Sequence, residues 1–355
     1  MEFLYSNLPP IRTTCRTFSE TFYSLIPEAT RLDIAVGYIT ADALAELKQT
    51  AAYNKNIETL NLLIGMHYWD KFTELEYHAA LGLNDFLRGE SRGEVRLIKP
   101  FRFHGKLYSY SNASGAFAGI IGSNNLGSIV ETRTRTYEAS VILREQAHAE
   151  NIYEFINRLN VDASDNIADC EINNFNERNK LLEDHENVTY VSRSEMADAI
   201  SALTEVKFEI PLVKNGEVPQ KSNLNVYFGE GRRSKTTGFV QPRHWYETEL
   251  IVPSTIYSHP DYPKKNTDNA VFDVITDDGW KFKCKVSGDN SKNLRSEDDL
   301  KILGKWIKGR LENSGALKVM QPVTPDTFIK YERDNFTLTK TTIPNLWYLD
   351  FGVTK

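Results

Sequence analysis

The chain has 355 residues, 41% of them hydrophobic and 25% charged, which is enough for two domains with cores of their own. No apolar run reaches the length of about 18 residues needed to cross a bilayer, and the start, Met1 to Ser6, lacks the basic and apolar pattern of a signal peptide, so a cytosolic bacterial protein with no membrane partner is expected. The net charge of −6 argues against a nucleic-acid field over the whole molecule, but residues 1–192 hold 18 Lys+Arg against 26 Asp+Glu while residues 193–355 hold 24 against 22, which predicts a local patch in the second half.

In the first half, apolar runs and helical periodicity alternate. Residues 32–38 read as a strand. Thr40 is placed as N-cap of a helix over 41–52, with Asp42 in its first turn. Residues 60–66 read as a buried strand and 72–88 as a helix. Further strands are expected over 95–98, 106–110, 117–121 and 139–143, then a helix over 146–159. The alternation predicts an α/β sandwich, with ligands at strand ends. Residues 162–186 hold eight carboxylates (Asp162, Asp165, Asp169, Glu171, Glu177, Glu183, Asp184, Glu186) against Arg178 and Lys180. This stretch reads either as a solvated linker or as an acidic gate over a phosphate site.

The second half shifts towards β. A short helix over 194–203 precedes strands over 207–213, 223–228, 249–252, 271–276 and 280–286, separated by turns such as Asp277-Asp278-Gly279. Residues 296–299 are expected to cap a helix reaching about Leu311. Cys15, Cys170 and Cys284 have no paired spacing and read as reduced thiols, neither disulfides nor a zinc site. No Walker-type loop is present, so ATP binding by this chain is not expected; neither a metal nor any other cofactor is.

One constellation carries chemistry. His104-Gly105-Lys106 is followed by Gly122-Ser123-Asn124-Asn125 and then Glu138, on three strand-like runs in succession. A neutral imidazole can attack phosphorus and split one hard displacement into two easier ones. With His104 and Lys106 two apart on a strand, their side chains share a face, where a lysine can neutralise oxygens that gain charge. Asn125, with Asn124 as the neighbouring alternative, offers amide donors to the same oxygens, as does the Ser123 turn. Glu138 is expected to accept from His104 and hold its tautomer.

This pattern resembles the half-site of the phospholipase D superfamily, whose motif is His-x-Lys followed by a Gly-Ser/Gly-x-Asn turn. The superfamily carries a mainly structural aspartate five positions after the lysine; here Ser111 stands there, followed by Asn112.

Two polar stretches in the second half are candidate DNA readers. One is 229–237, with Arg232, Arg233, Ser234 and Lys235. The other runs from Lys281, Lys283 and Lys285, alternating with Phe282, Cys284 and Val286, into Asp289, Asn290, Lys292 and Asn293. The alternation predicts a strand with one core face and one basic face. Arg suits guanine, Asn adenine and Asp cytosine, while Lys and Ser suit phosphates. Either stretch alone also reads as a solvated hairpin.

Together with residues 243–253 and the helix entry at 293–300, these features make the chain similar to the NgoFVII/BfiI-type restriction endonucleases. The resemblance implies a phospholipase D-like nuclease domain over 1–161, an acidic linker over 162–192, and a mainly β pseudobarrel over 193–355 similar to the plant B-three DNA-binding fold. It implies site-specific, metal-independent hydrolysis of double-stranded DNA, with 229–240 and 281–297 as two arms in the major groove. A single His-x-Lys per chain implies a homodimer through the N-terminal domain, in which one His104 attacks and the other protonates the leaving oxygen. A companion ATPase or translocase and a methyltransferase are expected by analogy alone. The alternatives are a lipid phosphodiesterase of the same superfamily and a non-catalytic DNA-binding regulator.

Overall fold

A computed structural model describes residues 1–130, 136–176, 181–183 and 185–353. The chain divides into two units, Met1–Arg178 with Gly231–Pro242, and Asn179–Glu230 with Arg243–Lys355. Among the described residues, no helix is long and apolar enough to cross a membrane.

The first unit is built on one mixed sheet. Its strands are β1 (Glu2–Tyr5), β2 (Arg31–Val36), β3 (Thr59–Ile64), β4 (Gly93–Ile98), β5 (Lys106–Asn112), β6 (Gly115–Gly122), β7 (Ala139–Leu143) and β8 (Ser164–Asn166), in the order β1-β7-β6-β5-β2-β3-β4-β8. β2, β3 and β4 run parallel, and the remaining pairs are antiparallel. The helices are α1 (Phe18–Leu25), α2 (Ala41–Tyr53), α3 (Glu74–Gly89) and α4 (Gln146–Asp162). Parallel strands covered on both faces need apolar residues on both faces, which is why β2 and β3 read as continuous apolar runs. Along β5 the period of two feeds two cores. Tyr108 and Tyr110 turn to the Phe18 and Phe22 rings of α1. Leu107 turns the other way and joins Ile152, Ile156 and Leu159 of α4.

Thr40 caps α2 as expected, accepting from the Ala43 N–H. The helix expected from residue 72 begins at Glu74 instead. Thr73 and Glu76 exchange side-chain and backbone hydrogen bonds as a capping box, so the start is set there. Phe72–Thr73 pairs as a short strand with Phe175–Asn176. β1 and α1 have no counterpart in the sequence reading; α1 too opens on a capping box, Thr17 with Glu20.

The second unit consists of α5 (Arg193–Ser201), β9 (Leu203–Pro211), β10 (Val271–Thr276), β11 (Trp280–Ser287), β12 (Asn293–Ser296), α6 (Lys301–Asn313), α7 (Pro325–Tyr331), β13 (Asn335–Thr341) and β14 (Leu346–Asp350). The sheet order is β9-β13-β14-β10-β11-β12, ending on the short strand Leu250–Ile251. Its two end strands do not pair with each other among the described residues, so the mainly β sheet is an open half-barrel. Residues 223–228 were expected as a strand and are not one. The Asn225 carboxamide donates to the carbonyls of Pro219 and Val323 and accepts from the Val323 N–H, so a side chain holds this segment where a ladder would. Val226–Phe228 is a turn of 3-10 helix.

Within residues 162–192, β8 extends the first sheet, with Asp165 paired to Lys99. Leu182, His185 and Val188 are buried, and Thr189–Tyr190 pairs with β11. Glu177, Arg178, Lys180 and Asp184 lie outside the described residues.

α6 fastens the second unit. Arg310 forks onto Asp277 at 2.6 and 2.9 Å, and Trp306 donates to Asp278, so the β10–β11 turn is bound to the helix. That turn needs Gly279, whose φ is +91°. Lys308 is fully buried, 3.7 Å from the centre of the Trp245 ring, and donates to the Trp245 carbonyl at 2.6 Å. Glu312, one turn on, accepts from Trp245 Nε1 and the Tyr246 hydroxyl, each at 2.7 Å. Burial pushes the Lys308 ammonium below the ordinary lysine range, and the Glu312 charge opposes the shift. Between that lowered value and the usual lysine pKa the unfolded chain binds the proton more tightly, so this group's contribution to stability rises with pH across that window. Glu312→Ala leaves a buried cation without its countercharge and is expected to cost about 3–5 kcal/mol, read as a lower denaturant midpoint for the second unit.

Candidate active site

At one edge of the first sheet the ends of β2, β3 and β6 meet the starts of β5 and β7. Val36 pairs with Ile64 and Lys106, Leu107 with Ile121, and Gly122 with Ser140. His104, Lys106, Ser123, Asn125 and Glu138 all flank this edge.

His104 precedes β5, which starts at Lys106, so the pair does not share a strand face as the spacing had suggested. Lys106 reaches back instead. Its Nζ donates to the His104 carbonyl at 2.6 Å and lies 3.1 Å from Nδ1 and 3.3 Å from Nε2 of the ring. His104 is exposed, whereas Lys106 is 6% exposed. An ammonium has donors alone, so the ring nitrogen it meets is one bearing a lone pair. Burial lowers the Lys106 pKa, and the charge of Glu138 works against that shift. No hydrogen bond joins Glu138 to His104 among the described residues. The carboxylate acts on Lys106 instead, and the Glu138 main chain is held by the residue that follows β1: Glu138 N–H donates to Ser6 Oγ at 2.9 Å and Ser6 N–H to the Glu138 carbonyl at 3.0 Å.

The two asparagines divide their roles. Asn124 is buried, its Oδ1 accepting from Ser140 Oγ and its carbonyl from the Tyr108 hydroxyl. Asn125 is half-buried, and its Oδ1 takes the Tyr38 N–H at 3.0 Å, so its NH2 end is the one that can meet an anion. The Ser123 hydroxyl is engaged with the backbone of Ala139, accepting from its N–H at 2.9 Å and donating to its carbonyl. At the far end of β5, Ser111 is buried and Asn112 closes the hairpin by accepting from the Ser114 N–H.

Several residues that build this edge were not singled out from the sequence. A Cβ on Gly65 would stand 2.2 Å from the Phe103 carbonyl oxygen, one on Gly37 3.5 Å from the His104 Cα, and one on Gly122 2.1 Å from Ser140 Oγ. The main chain passes too closely at Gly65 and Gly122 for side chains, whereas at Gly37 the distance to His104 is that of ordinary contact. Tyr38 sets its ring edge-on to His104, with centroids 5.8 Å apart, and donates to Asp70 at 2.6 Å. The Tyr38 hydroxyl and then Arg102, at 2.7 Å, hold Asp70 below the usual carboxylate range. His67 accepts from the Ile39 N–H and faces the Lys71 carbonyl, fixing the turn that carries Tyr38. A glycine directly after an apolar strand, as at 37 and 65, was the one available signal.

The basic residues fall into two groups. On β11, Phe282, Cys284 and Val286 are buried, Lys283 is exposed, and Lys281 and Lys285 are half-buried, so the predicted alternation holds. Lys285 stands opposite Arg295 of β12, and Asp289 and Asn290 are exposed in the turn between, with Asn293 pairing Ser287. Lys292 is half-buried, its carbonyl taking the Val252 N–H. Arg232, Arg233, Ser234 and Lys235 lie in a hairpin of the first unit, Gly231–Pro242.

Residues 17–177 match a family described as the NgoFVII restriction endonuclease N-terminal PLD domain, PLD standing for phospholipase D. Residues 198–342 match the NgoFVII C-terminal B3-like DNA-binding domain. No curated protein matches significantly. Among solved structures, a phospholipase D family member, Nuc from Salmonella typhimurium, is similar at 17% identity over 46% of this chain and 95% of its own, with a TM-score of 0.31.

Since the glycines set the approach of backbone to backbone, Gly65→Ala is expected to push the 103–105 segment outward without removing a polar group. The expected cost is about 1–3 kcal/mol in unfolding free energy, together with moved ring resonances of His104 in NMR spectra.

Proposed function

The chain belongs to the NgoFVII restriction endonuclease family, with a phospholipase D-like nuclease unit and a B3-like DNA-binding unit, and we propose that it is a site-specific endonuclease that cuts double-stranded DNA through a phosphohistidine. The observation that carries this reading is the exposed His104 imidazole with the Lys106 ammonium on its ring nitrogens. His104 attacks phosphorus, forming a P–N bond as the P–O bond to the leaving strand breaks. Lys106 and the Asn125 amide hold the non-bridging oxygens as they gain charge. Water then attacks phosphorus, breaks the P–N bond and returns a free imidazole.

The leaving oxygen needs a proton, and later water needs a base. One chain brings a single histidine of this kind, so the reading places two chains about a two-fold axis, with His104 of one as nucleophile and His104 of the other as general acid. Arg232, Arg233, Ser234 and Lys235, with Lys281, Lys283, Lys285, Asp289, Asn290, Lys292 and Asn293, are the proposed DNA contacts. A companion ATPase or methyltransferase, if the system uses them, is a separate chain.

Rapid acid quench of a reaction on internally labelled DNA is expected to leave label on His104 and none on a His104→Ala protein, with cleavage continuing in EDTA. Co-expressed dimers holding one His104→Ala subunit should cut neither strand. Label that never appears on the protein, or full activity of the mixed dimers, would refute the mechanism.

The lowered Lys106 pKa sets the alkaline limb. The cation is lost as pH rises through a value below that of an exposed lysine, and single-turnover cleavage should decline there. Lys106→Arg, always charged, should lose rate but move the limb upward. A limb that stays in place would assign it to another group.

A further inference from the structure

Residues Gly231–Pro242 belong to the first unit, although the chain on both sides belongs to the second. They form a two-stranded ribbon in which Arg232 pairs with Gln241 and Arg233 with Val240. Gly238, at φ +72°, makes the turn, and Arg232, Arg233 and Lys235 are exposed. The other end is fastened to the nuclease unit. Asn54, the C-cap of α2, donates to the Val240 carbonyl at 3.0 Å and accepts from the Val240 N–H at 2.9 Å, doing with one carboxamide what a neighbouring strand would do. Gln241 Nε2 donates to Glu46 at 3.0 Å, and the Tyr23 hydroxyl donates to the same oxygen at 3.2 Å. The Phe239 ring lies 5.6 Å from that of Tyr23. Tyr23, Glu46, Asn54 and Val240 are all buried.

We propose that this hairpin is a strut of the nuclease unit, in which Asn54, Glu46 and Gln241 are positioning residues that fix the distance between the DNA held by Arg232 to Lys235 and the phosphodiester brought to His104. The inference rests on the function proposed above. Its basis is the register. The residues docked on α2 are the direct cross-strand partners of the two arginines, so any slip of the joint carries the arginines with it. The joint also consists largely of buried polar groups that already hold partners. Detaching the ribbon exchanges those bonds for water and exposes the apolar surface of Val240 and of the Phe239–Tyr23 pair, which favours a joint that stays closed while DNA is bound.

Sequencing the ends of plasmid DNA cut by the full-length protein reads both the recognised sequence and the offset of the cut. The wild type should show one consensus and a fixed offset. Gln241→Ala and Phe239→Ala should keep the consensus, and DNA affinity to within about twofold, while spreading the cut over several neighbouring phosphates. Asn54→Ala should do the same, but Asn54 also donates to the Thr50 carbonyl at the end of α2 and its loss can damage the helix, so Gln241→Ala carries the test. Wild-type cutting without any consensus would bring down the functional reading itself. A consensus with an unchanged offset in Gln241→Ala and Phe239→Ala would bring down the strut alone. Hydrogen exchange, which needs no cutting, decides between a strut and a hairpin that lets go. The Val240 amide should stay protected when DNA is added; loss of that protection overturns the proposal.

Discussion

Backbone-to-backbone distance governs the candidate site. Four chain segments crowd one edge of the first sheet, and Gly65 and Gly122 stand where a single carbon atom more would strike Phe103 or Ser140. His104 is therefore held by its main chain, at a point where the strand has not yet begun, and its imidazole remains open to solvent. An imidazole so placed is aimed by steric exclusion of its main chain, with the Lys106 ammonium as its polar neighbour.

The electrostatics follow from that placement. Lys106, the first residue of β5, is buried, and its ammonium has the His104 carbonyl and ring nitrogens as partners. Glu138 supplies the negative charge that keeps this cation bearable. The arrangement differs from a hydrolytic triad, in which the acid orients the histidine directly. Here the carboxylate stabilises the cation, and the cation faces the imidazole.

Much of this was legible in the sequence. The strand and helix succession of the first sheet followed from apolar runs and from caps such as Thr40, because both are local properties. His104, Lys106 and the alternative of Asn124 or Asn125 were read from residue chemistry; in the fold Asn124 is held by Ser140 and Tyr108, while Asn125 accepts from the Tyr38 N–H. What stayed hidden depends on partners far along the chain. Nothing near Asn225 announces Val323, and nothing near Val240 announces Asn54, 186 positions away. β1 is a short edge strand whose partner is β7, so its pattern alone carried no signal.

The carboxamide of Asn54 bears on where this protein can be divided. A boundary drawn after residue 178 follows the chain but leaves Tyr23, Glu46 and Asn54 facing water where Phe239, Val240 and Gln241 had covered them. Exchanging the reader for that of a relative would bring a foreign ribbon to the same three side chains. The natural module is thus discontinuous, and recombination that respects it must keep residues 231–242 with the nuclease from which they came.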